Sequence, residues 1–160
     1  AGTDSVSFGA VLSGSSIVGG GDNDTLNFAA GVNNNALVSG DAGSDLLVFS
    51  STVATAGVYG GTGGDTLSFA GAVSAATINF GADNDLATFG GAISGGSSLF
   101  GGAGEDTLHF NNISINATSL TGGDAADSIH LGLSFLLVGR RRLLLPLNGP
   151  LVPRTLLVVG

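Results

Sequence analysis

Apolar and polar positions along the chain repeat with a period of 20 or 21 residues. Within each repeat, one short stretch alternates polar and apolar residues, as in Thr66-Leu67-Ser68-Phe69, and this is the period of a half-buried β-strand. Its apolar members form two columns: Val6, Leu26, Leu47, Leu67, Ala87, Leu108, Ile129 and Phe8, Phe28, Phe49, Phe69, Phe89, Phe110, Leu131. A fixed period of this length is typical of stacked repeat units.

Two further apolar columns complete each repeat. They are Val11, Val32, Val53, Val73, Ile93, Ile113 and, before each glycine-rich run, Val18, Val38, Tyr59, Phe80, Phe100, Leu120. These columns predict two short strands in each repeat, joined by small or Gly/Asn-rich turns. Because no single repeat can bury its apolar face, we expect the repeats to stack as parallel strands about 4.8 Å apart. The predicted fold is all-β, a parallel β-solenoid (β-roll or β-helix) of about seven coils over residues 1–132.

An aspartate column keeps the same period and usually follows a glycine-rich run. Its members are Asp4, Asp24, Asp45, Asp65, Asp85, Asp106 and Asp127. Stacked coils would bring these carboxylates to about 4.8 Å from one another, and like charges that close together oppose both ionisation and folding. Further acids are predicted near the same edge: Asp22, Asp41, Asp83, Glu105 and Asp124.

The distribution of charge indicates a bound cation. All 12 acidic residues lie between Asp4 and Asp127, all four arginines lie after Gly139, and the chain has no lysine or cysteine. No basic side chain or thiolate within the repeats can therefore compensate the aspartates. Ca²⁺ binds six to eight oxygens with tolerant geometry, whereas Mg²⁺ demands a tighter octahedron. We expect Ca²⁺ between adjacent turns, held by successive aspartates and turn carbonyls. The alternative is that the aspartates only cap turns, where Asp is favoured.

Two of the turns resemble a known calcium-binding motif. Residues 60–67 (GGTGGDTL) and 101–108 (GGAGEDTL) are similar to the RTX nonapeptide GGxGxDxUx. The RTX family forms calcium-filled parallel β-rolls in secreted bacterial toxins, proteases, lipases, adhesins and surface-layer proteins. The resemblance implies that Asp24, Asp65 and Asp106 are calcium ligands. Asp45, Asp85 and Asp127 follow by their position in the repeat, and the predicted set also includes Asp4, Asp22 and Asp83.

The chain departs from the RTX pattern in three respects. An RTX roll usually carries two nonapeptides per coil, whereas here one glycine-aspartate turn occurs per 20 or 21 residues, so we expect one row of calcium ions. Residues 39–45 (SGDAGSD) and 121–127 (TGGDAAD) are interpreted as carrying an extra residue. Phe80 replaces a glycine in the fourth full copy. Sites at these three turns are expected to be weaker or empty.

The expected function is that of a structural segment. We expect a calcium-binding repeat of a secreted or cell-surface bacterial protein, which folds on calcium binding outside the cell. One alternative is a C-terminal accessory or secretion domain of a secreted hydrolase or toxin. Another is an ice-binding solenoid, which needs a regular threonine array. Two leucines interrupt the corresponding outward column, Ser5, Thr25, Leu46, Thr66, Leu86, Thr107, Ser128.

Other classes of function are disfavoured. Repetition argues against a unique active site, so we predict no enzyme and no small-molecule substrate. Nucleic acid is not an expected partner, because phosphate binding needs basic residues. Self-association through the solenoid ends is possible in a stack of this kind. His109 and His130 share one outward column and are interpreted as solvated surface residues, with a shared transition metal as the alternative.

Residues 133–160 differ from the repeats. This tail is leucine-rich, contains four arginines and no acid, and is predicted to be irregular. It is interpreted as a cap on the last coil, a secretion or anchoring segment, or a reading-frame artefact. The sequence begins part-way through a repeat without Met, so we expect it to be a piece of a longer protein.

Overall fold

The computed structural model describes residues 2–111, 113–116 and 119–132, and the predictions for the tail lie outside these residues. Regular structure in the described part consists of short strands, and no helix there is long and apolar enough to span a membrane. The strands are β1 (Ser5–Phe8), β2 (Leu12–Ser13), β3 (Ser16–Gly21), β4 (Thr25–Phe28), β5 (Val32–Asn33), β6 (Leu37–Ala42), β7 (Leu46–Phe49), β8 (Val53–Ala54), β9 (Gly57–Thr62), β10 (Thr66–Phe69), β11 (Val73–Ser74), β12 (Thr77–Ala82), β13 (Leu86–Phe89), β14 (Ile93–Ser94), β15 (Ser98–Ala103), β16 (Thr107–Phe110), β17 (Ser119–Asp124) and β18 (Ser128–Leu131).

The strands form three parallel sheets, in which each strand pairs with its counterpart one coil away. The orders are β1-β4-β7-β10-β13-β16-β18, β2-β5-β8-β11-β14 and β3-β6-β9-β12-β15-β17. The predicted parallel β-solenoid is therefore confirmed. It has about six turns rather than seven, because β18 begins a further coil that the described residues do not complete. The prediction of two strands per coil is wrong: most coils contribute three, and the third includes most of the glycine run that sequence reasoning had assigned to a turn.

Stacked apolar columns fill the interior, and the phenylalanine column is confirmed. Successive rings from Phe8 to Phe110 lie nearly parallel, with centroids 4.8, 5.0, 4.8, 4.9 and 5.1 Å apart. The buried members of the four-residue strands are Leu26, Phe28, Leu47, Phe49, Leu67, Phe69, Ala87, Phe89, Leu108 and Phe110. Each coil thus buries its side chains mainly against the same side chains of its neighbours, as in other solenoids.

The apolar column before the glycine runs was predicted partly in the wrong place. The buried column is Ile17, Val38, Val58, Ile78, Leu99 and Leu120, with Ile17 partly buried. Val18, Tyr59 and Phe100 were assigned to it but lie on the outer face, each at least 36% exposed. Successive side chains of a strand point to opposite faces, so an error of one residue moves a position from the core to solvent.

Val11 and Ile113 were also assigned to the wrong position, in the column that contains Val32 and Ile93. Val32 pairs with Leu12 rather than with Val11, which is 57% exposed. At the other end of the same column, Ile93 pairs with Ile115 rather than with Ile113. Ile113 is nevertheless buried, so the last full coil takes a slightly different path after Phe110.

The prediction that the 21-residue coils carry their extra residue in the glycine-aspartate turn is wrong. Asp41 pairs with Gly61 and Asp124 pairs with Ala103, without an insertion. Two coils widen instead at the opposite turn, where positive φ angles occur in pairs at Asn34 and Asn35 and at Gly95 and Gly96. In the last full coil the extra residue falls between Phe110 and Ile115. The glycine-aspartate turn therefore keeps one length throughout the stack.

Candidate metal centre

The glycine-aspartate turn has one backbone conformation in every copy. We define the turn as the six residues that end at the aspartate, for example residues 60–65. The second and fourth of these six residues have positive φ. The second residues are Gly20, Asp41, Gly61, Gly81, Gly102 and Gly123, and the fourth are Asp22, Gly43, Gly63, Asp83, Gly104 and Ala125. Gly61 shows why glycine is favoured at the second position: its φ is +131°, and a Cβ there would collide with the Asp41 carbonyl of the preceding coil.

The aspartate column lies inside this turn rather than on its outer edge. Asp24, Asp45, Asp65, Asp85 and Asp106 are each at most 3% exposed. One carboxylate oxygen, Oδ1, accepts a hydrogen bond from the backbone N–H of the preceding coil's aspartate. These bonds, from Asp4 to Asp24, Asp24 to Asp45, Asp45 to Asp65, Asp65 to Asp85, Asp85 to Asp106 and Asp106 to Asp127, measure 2.7, 2.7, 2.8, 2.7, 3.0 and 3.1 Å. Each aspartate therefore caps the turn of the preceding coil through one oxygen, rather than capping its own turn as the alternative interpretation supposed.

The second carboxylate oxygen is the unusual feature. Oδ2 is buried and has no hydrogen-bond partner in Asp24, Asp45, Asp65, Asp85 and Asp106. A turn cap needs only one oxygen. Leaving a buried polar atom without a hydrogen-bond partner costs on the order of 1–3 kcal/mol of folding free energy, and more when the group is charged. The cap therefore uses Oδ1 of each carboxylate and leaves Oδ2 without a hydrogen-bond donor.

Four of these oxygens lie against the first glycine of their own turn, close to a carbonyl oxygen of the next coil. A Cβ on Gly19 would collide with both, 2.6 Å from Asp24 Oδ2 and 2.7 Å from the carbonyl oxygen of Gly40. A Cβ would collide with the same pair, the turn's own Oδ2 and the next coil's carbonyl oxygen, on Gly40, Gly60 and Gly101. We call these pairs of oxygens, packed against Gly19, Gly40, Gly60 and Gly101, the glycine cradles. Each brings together two oxygens that can only accept while the aspartate is ionised.

Burial changes the acidity of the column. Loss of solvent raises the pKa of Asp65 and of Asp106 from 3.8 to about 6 and that of Asp85 to about 7, and it also raises the pKa of Asp45. Repulsion from neighbouring carboxylates adds to the effect, as from Asp45 and Asp83 on Asp65. The backbone N–H bonds oppose it only in part. The folded chain thus favours either a proton or another positive charge at these positions.

The remaining predicted ligands lie at the rim of the turn. Asp22 and Asp83 are exposed, and one oxygen of each accepts a backbone N–H of the preceding coil, from Gly2 at 2.7 Å and from Gly63 at 3.1 Å. Asp4 is exposed in the first coil, and Asp127 is partly buried in the last. The structure therefore aligns seven of the nine predicted residues in one column, with Asp4 at its open end, and places Asp22 and Asp83 beside it.

Two asparagines of the turn were missed by sequence reasoning. Asn23 and Asn84 each accept a backbone N–H of the following coil, from Ser44 at 2.9 Å and from Glu105 at 2.8 Å. Their shared position, directly before the aspartate in GGGDND and FGADND, was the available signal.

The chemistry of the donors fits a hard divalent cation. Carboxylate and carbonyl oxygens are the ligands that Ca²⁺ prefers, and both kinds meet at the glycine cradles. Among the described residues no three acidic or histidine side chains converge. A cation in this column would therefore be held by Oδ2 atoms of the aspartates together with carbonyl oxygens of the turns.

The raised pKa values predict how the metal-free fold responds to pH. Because the folded chain binds protons more tightly than the unfolded chain, its stability is greatest at low pH and falls as the pH rises through about 6 to 7. We expect more β-signal at pH 5 than at pH 8 in EDTA, measured by circular dichroism. Excess calcium should reverse this trend, because protons compete with calcium for carboxylates. A flat profile in EDTA would contradict the uncompensated column.

The outer face of the β1-containing sheet was predicted correctly. Thr66 pairs with Leu46 and with Leu86, so leucines separate the threonines. His109 and His130 are neighbours with their rings stacked 4.4 Å apart, and His130 Nε2 lies 2.9 Å from Ser128 Oγ. Neither a continuous threonine array nor a third side-chain ligand for the histidines is present among residues 2–111, 113–116 and 119–132.

The comparisons with known proteins found no match. No family model matches the chain, and no curated protein or solved structure is significantly similar to it. The distinctive feature of the chain is the turn itself, where one oxygen of each buried aspartate accepts a backbone N–H of the neighbouring coil and the other has no hydrogen-bond partner.

Proposed function

We propose that the chain is a calcium-binding structural repeat of a secreted or cell-surface bacterial protein, whose folding is coupled to calcium. The observation that carries this proposal is the row of buried Oδ2 atoms without donors in five successive turns. A single such atom could be tolerated in a stable domain. A row of them repeats the same unfavourable contact in each coil, so a compensating charge must also repeat.

The chain's own residues account for the coupling. The backbone N–H of each aspartate fixes the next carboxylate in place, so that Oδ2 is held against the turn before any ligand binds. Bound calcium would supply the positive charge that the chain lacks there. Such a site exists only in the stacked state, because its oxygens come from adjacent coils. Ligation therefore stabilises the folded chain alone.

The size of the effect is sufficient for a switch. A ligand at 100 times its Kd stabilises the folded state by about 2.7 kcal/mol per site. Two or three such sites approach the total stability of a typical domain, which is about 5–15 kcal/mol. Sites with Kd on the order of 10⁻⁵ M, a value found among calcium sensors, reach this ratio at about 1 mM calcium. Such a chain would stay unfolded in low intracellular calcium and fold at millimolar calcium outside.

A calcium titration followed by far-UV circular dichroism tests the proposal. The full chain at pH 7.5 is expected to show little β-signal in EDTA and a cooperative gain of β-signal as calcium approaches millimolar concentration. Magnesium at the same concentrations serves as the control and is expected to have little effect, because it gives up its waters reluctantly. A spectrum already complete in EDTA, and unchanged by calcium, would show that the aspartates are turn caps only.

A further inference from the structure

The outer face of the β3-containing sheet is uncharged. The buried column of this sheet runs from Ile17 to Leu120, and the residues directly before and after each of its members point outward and carry no charge. Most of them are glycine, serine, threonine or asparagine, but four are larger and at least 36% exposed, namely Val18, Leu37, Tyr59 and Phe100. In a chain with 12 acidic residues and a net charge of −8, such a face is suited to a neutral partner.

Tyr59 lies along this face rather than standing away from it. A Cβ on Gly57, two residues earlier in β9, would lie 2.9 Å from Tyr59 Cε2 and 3.4 Å from both Tyr59 Oη and Leu37 Cδ1. The ring therefore reaches back along its own strand, over the glycine and beside the leucine, while Tyr59 remains 36% exposed. One side of the ring packs on the sheet, and the other side is open to solvent.

An open cavity of about 390 Å³ lies beside this ring, where β6, β9 and β12 begin, whereas the aspartates follow the ends of these strands. Its lining includes Asn35, Leu37, Thr55, Gly57, Tyr59 and Thr77. Thr55 Oγ1 already accepts the Asn34 N–H and donates to the Ala54 carbonyl. Within the part of the chain that the structure describes, the side chains of Asn35, Tyr59 and Thr77 have no hydrogen-bond partner. A partly apolar lining with a few available polar groups is typical of ligand sites, whose volumes are about 300–1,000 Å³.

Phe100 extends the same surface along the solenoid. Asn79 pairs with Tyr59 on one side and with Phe100 on the other, so the two aromatic residues share one outward column and their strands are roughly 9.6 Å apart. Asn79 is partly buried between them, and its Oδ1 has no hydrogen-bond partner. The column thus presents an aromatic ring, an amide and a second aromatic ring in a straight line across the strands.

We infer that this face binds a neutral, β-1,4-linked polysaccharide, which lies along the solenoid axis across Tyr59 and Phe100. A pyranose ring has apolar C–H faces that stack on aromatic rings and hydroxyl groups at its edges that bond to side chains such as those of Asn35 and Thr77. A β-1,4-linked chain is extended and flat, so it can follow a straight column on a flat sheet. The uncharged face and the acidic chain disfavour an anionic polymer. This activity goes beyond the structural role proposed above and does not use the aspartate column.

Affinity electrophoresis of the full chain at saturating calcium tests the inference. A native gel that contains hydroxyethylcellulose is expected to retard the wild-type chain, whereas carboxymethylcellulose, which has the same backbone but is anionic, is not. The double substitution Tyr59→Ala and Phe100→Ala is expected to abolish the retardation. The matched control is Leu46→Ala with Leu86→Ala, which removes two side chains of similar exposure, 37% and 40%, from the outer face of the β1-containing sheet. It should be retarded like wild type.

Three outcomes would overturn the inference: no retardation of wild type by hydroxyethylcellulose, equal retardation by carboxymethylcellulose, or unchanged retardation of the Tyr59 and Phe100 variant. Circular dichroism checks that the variants are folded, and Phe100→Ala alone, which is expected to weaken the retardation, tests the face without altering Tyr59. Sedimentation velocity examines the other occupant, a second copy of the chain. A wild-type dimer that the double variant converts to monomer, without any effect of hydroxyethylcellulose, would assign the face to self-association. Each of these results leaves the calcium dependence of folding, and with it the proposed function, to be decided separately.

Discussion

Replacing Phe69 with alanine is expected to cause the largest loss of stability of any single core substitution in the chain. Phe69 is 1% exposed and stacks between Phe49 and Phe89, with centroids 4.8 and 4.9 Å away and ring planes within 4° of parallel. Truncation of a buried phenylalanine costs about 3–5 kcal/mol, part of it from the cavity left behind. The cavity cannot easily collapse here, because backbone hydrogen bonds to both adjacent coils fix the strand spacing.

The location of Phe69 adds a second effect. Solenoid stability is approximately a sum over neighbouring coils, so a cavity in the middle separates the stack into Phe8, Phe28, Phe49 on one side and Phe89, Phe110 on the other. We expect the denaturant midpoint at saturating calcium to fall sharply and the transition to broaden. Phe100→Ala is the control, because Phe100 is 38% exposed on the outer face and should change the free energy of unfolding by less than about 1 kcal/mol. Equal losses in the two variants would contradict the stacked core.

The periodic part of the fold could be predicted from the sequence because each position repeats. Five copies of Leu or Ala two residues after the aspartate, and six of phenylalanine four residues after it, fix both the stacking and the inward face. Errors arose where the chain gives no such redundancy. Val18 and Ile17 are both apolar, as are Val11 and Leu12, and only the hydrogen-bond register decides which of each pair points inward.

The candidate site was predictable in part for the same reason. The period located the aspartates, and the lack of basic residues within the repeats indicated that they need a cation. The sequence could not show that Oδ1 and Oδ2 have different environments, since this depends on the distance from each carboxylate to the neighbouring coil's backbone. Nor could it show that Asp41 substitutes for a glycine at positive φ rather than being inserted, because the turn and the opposite loop can both absorb an added residue.

A triple substitution, Asp45→Asn, Asp65→Asn and Asp106→Asn, is expected to remove most of the effect of calcium on folding. The asparagine Oδ1 can still accept the backbone N–H that each aspartate now accepts. Its Nδ2 replaces the buried Oδ2 with a donor, which faces the next coil's carbonyl oxygen over Gly40, Gly60 and Gly101. The variant therefore retains the cap, removes three buried charges and satisfies the cradle without an ion.

The two interpretations of the column predict different outcomes for this variant. If the aspartates are ligands, wild type requires calcium, whereas the asparagine variant shows β-signal in EDTA at pH 7.5 and a much smaller gain with calcium, because only Asp24 and Asp85 keep a buried Oδ2 without a donor. The lost stabilisation at calcium 100 times above Kd would be about 2.7 kcal/mol for each site removed. If the aspartates only cap turns, both chains fold in EDTA and neither responds. Substitution of the exposed Asp41 and Asp124 by asparagine and of the exposed Glu105 by glutamine is the control for net charge. It removes as many charges without altering a buried oxygen, so its calcium response should remain, and loss of that response would mean that calcium acts by general charge screening rather than at the buried column.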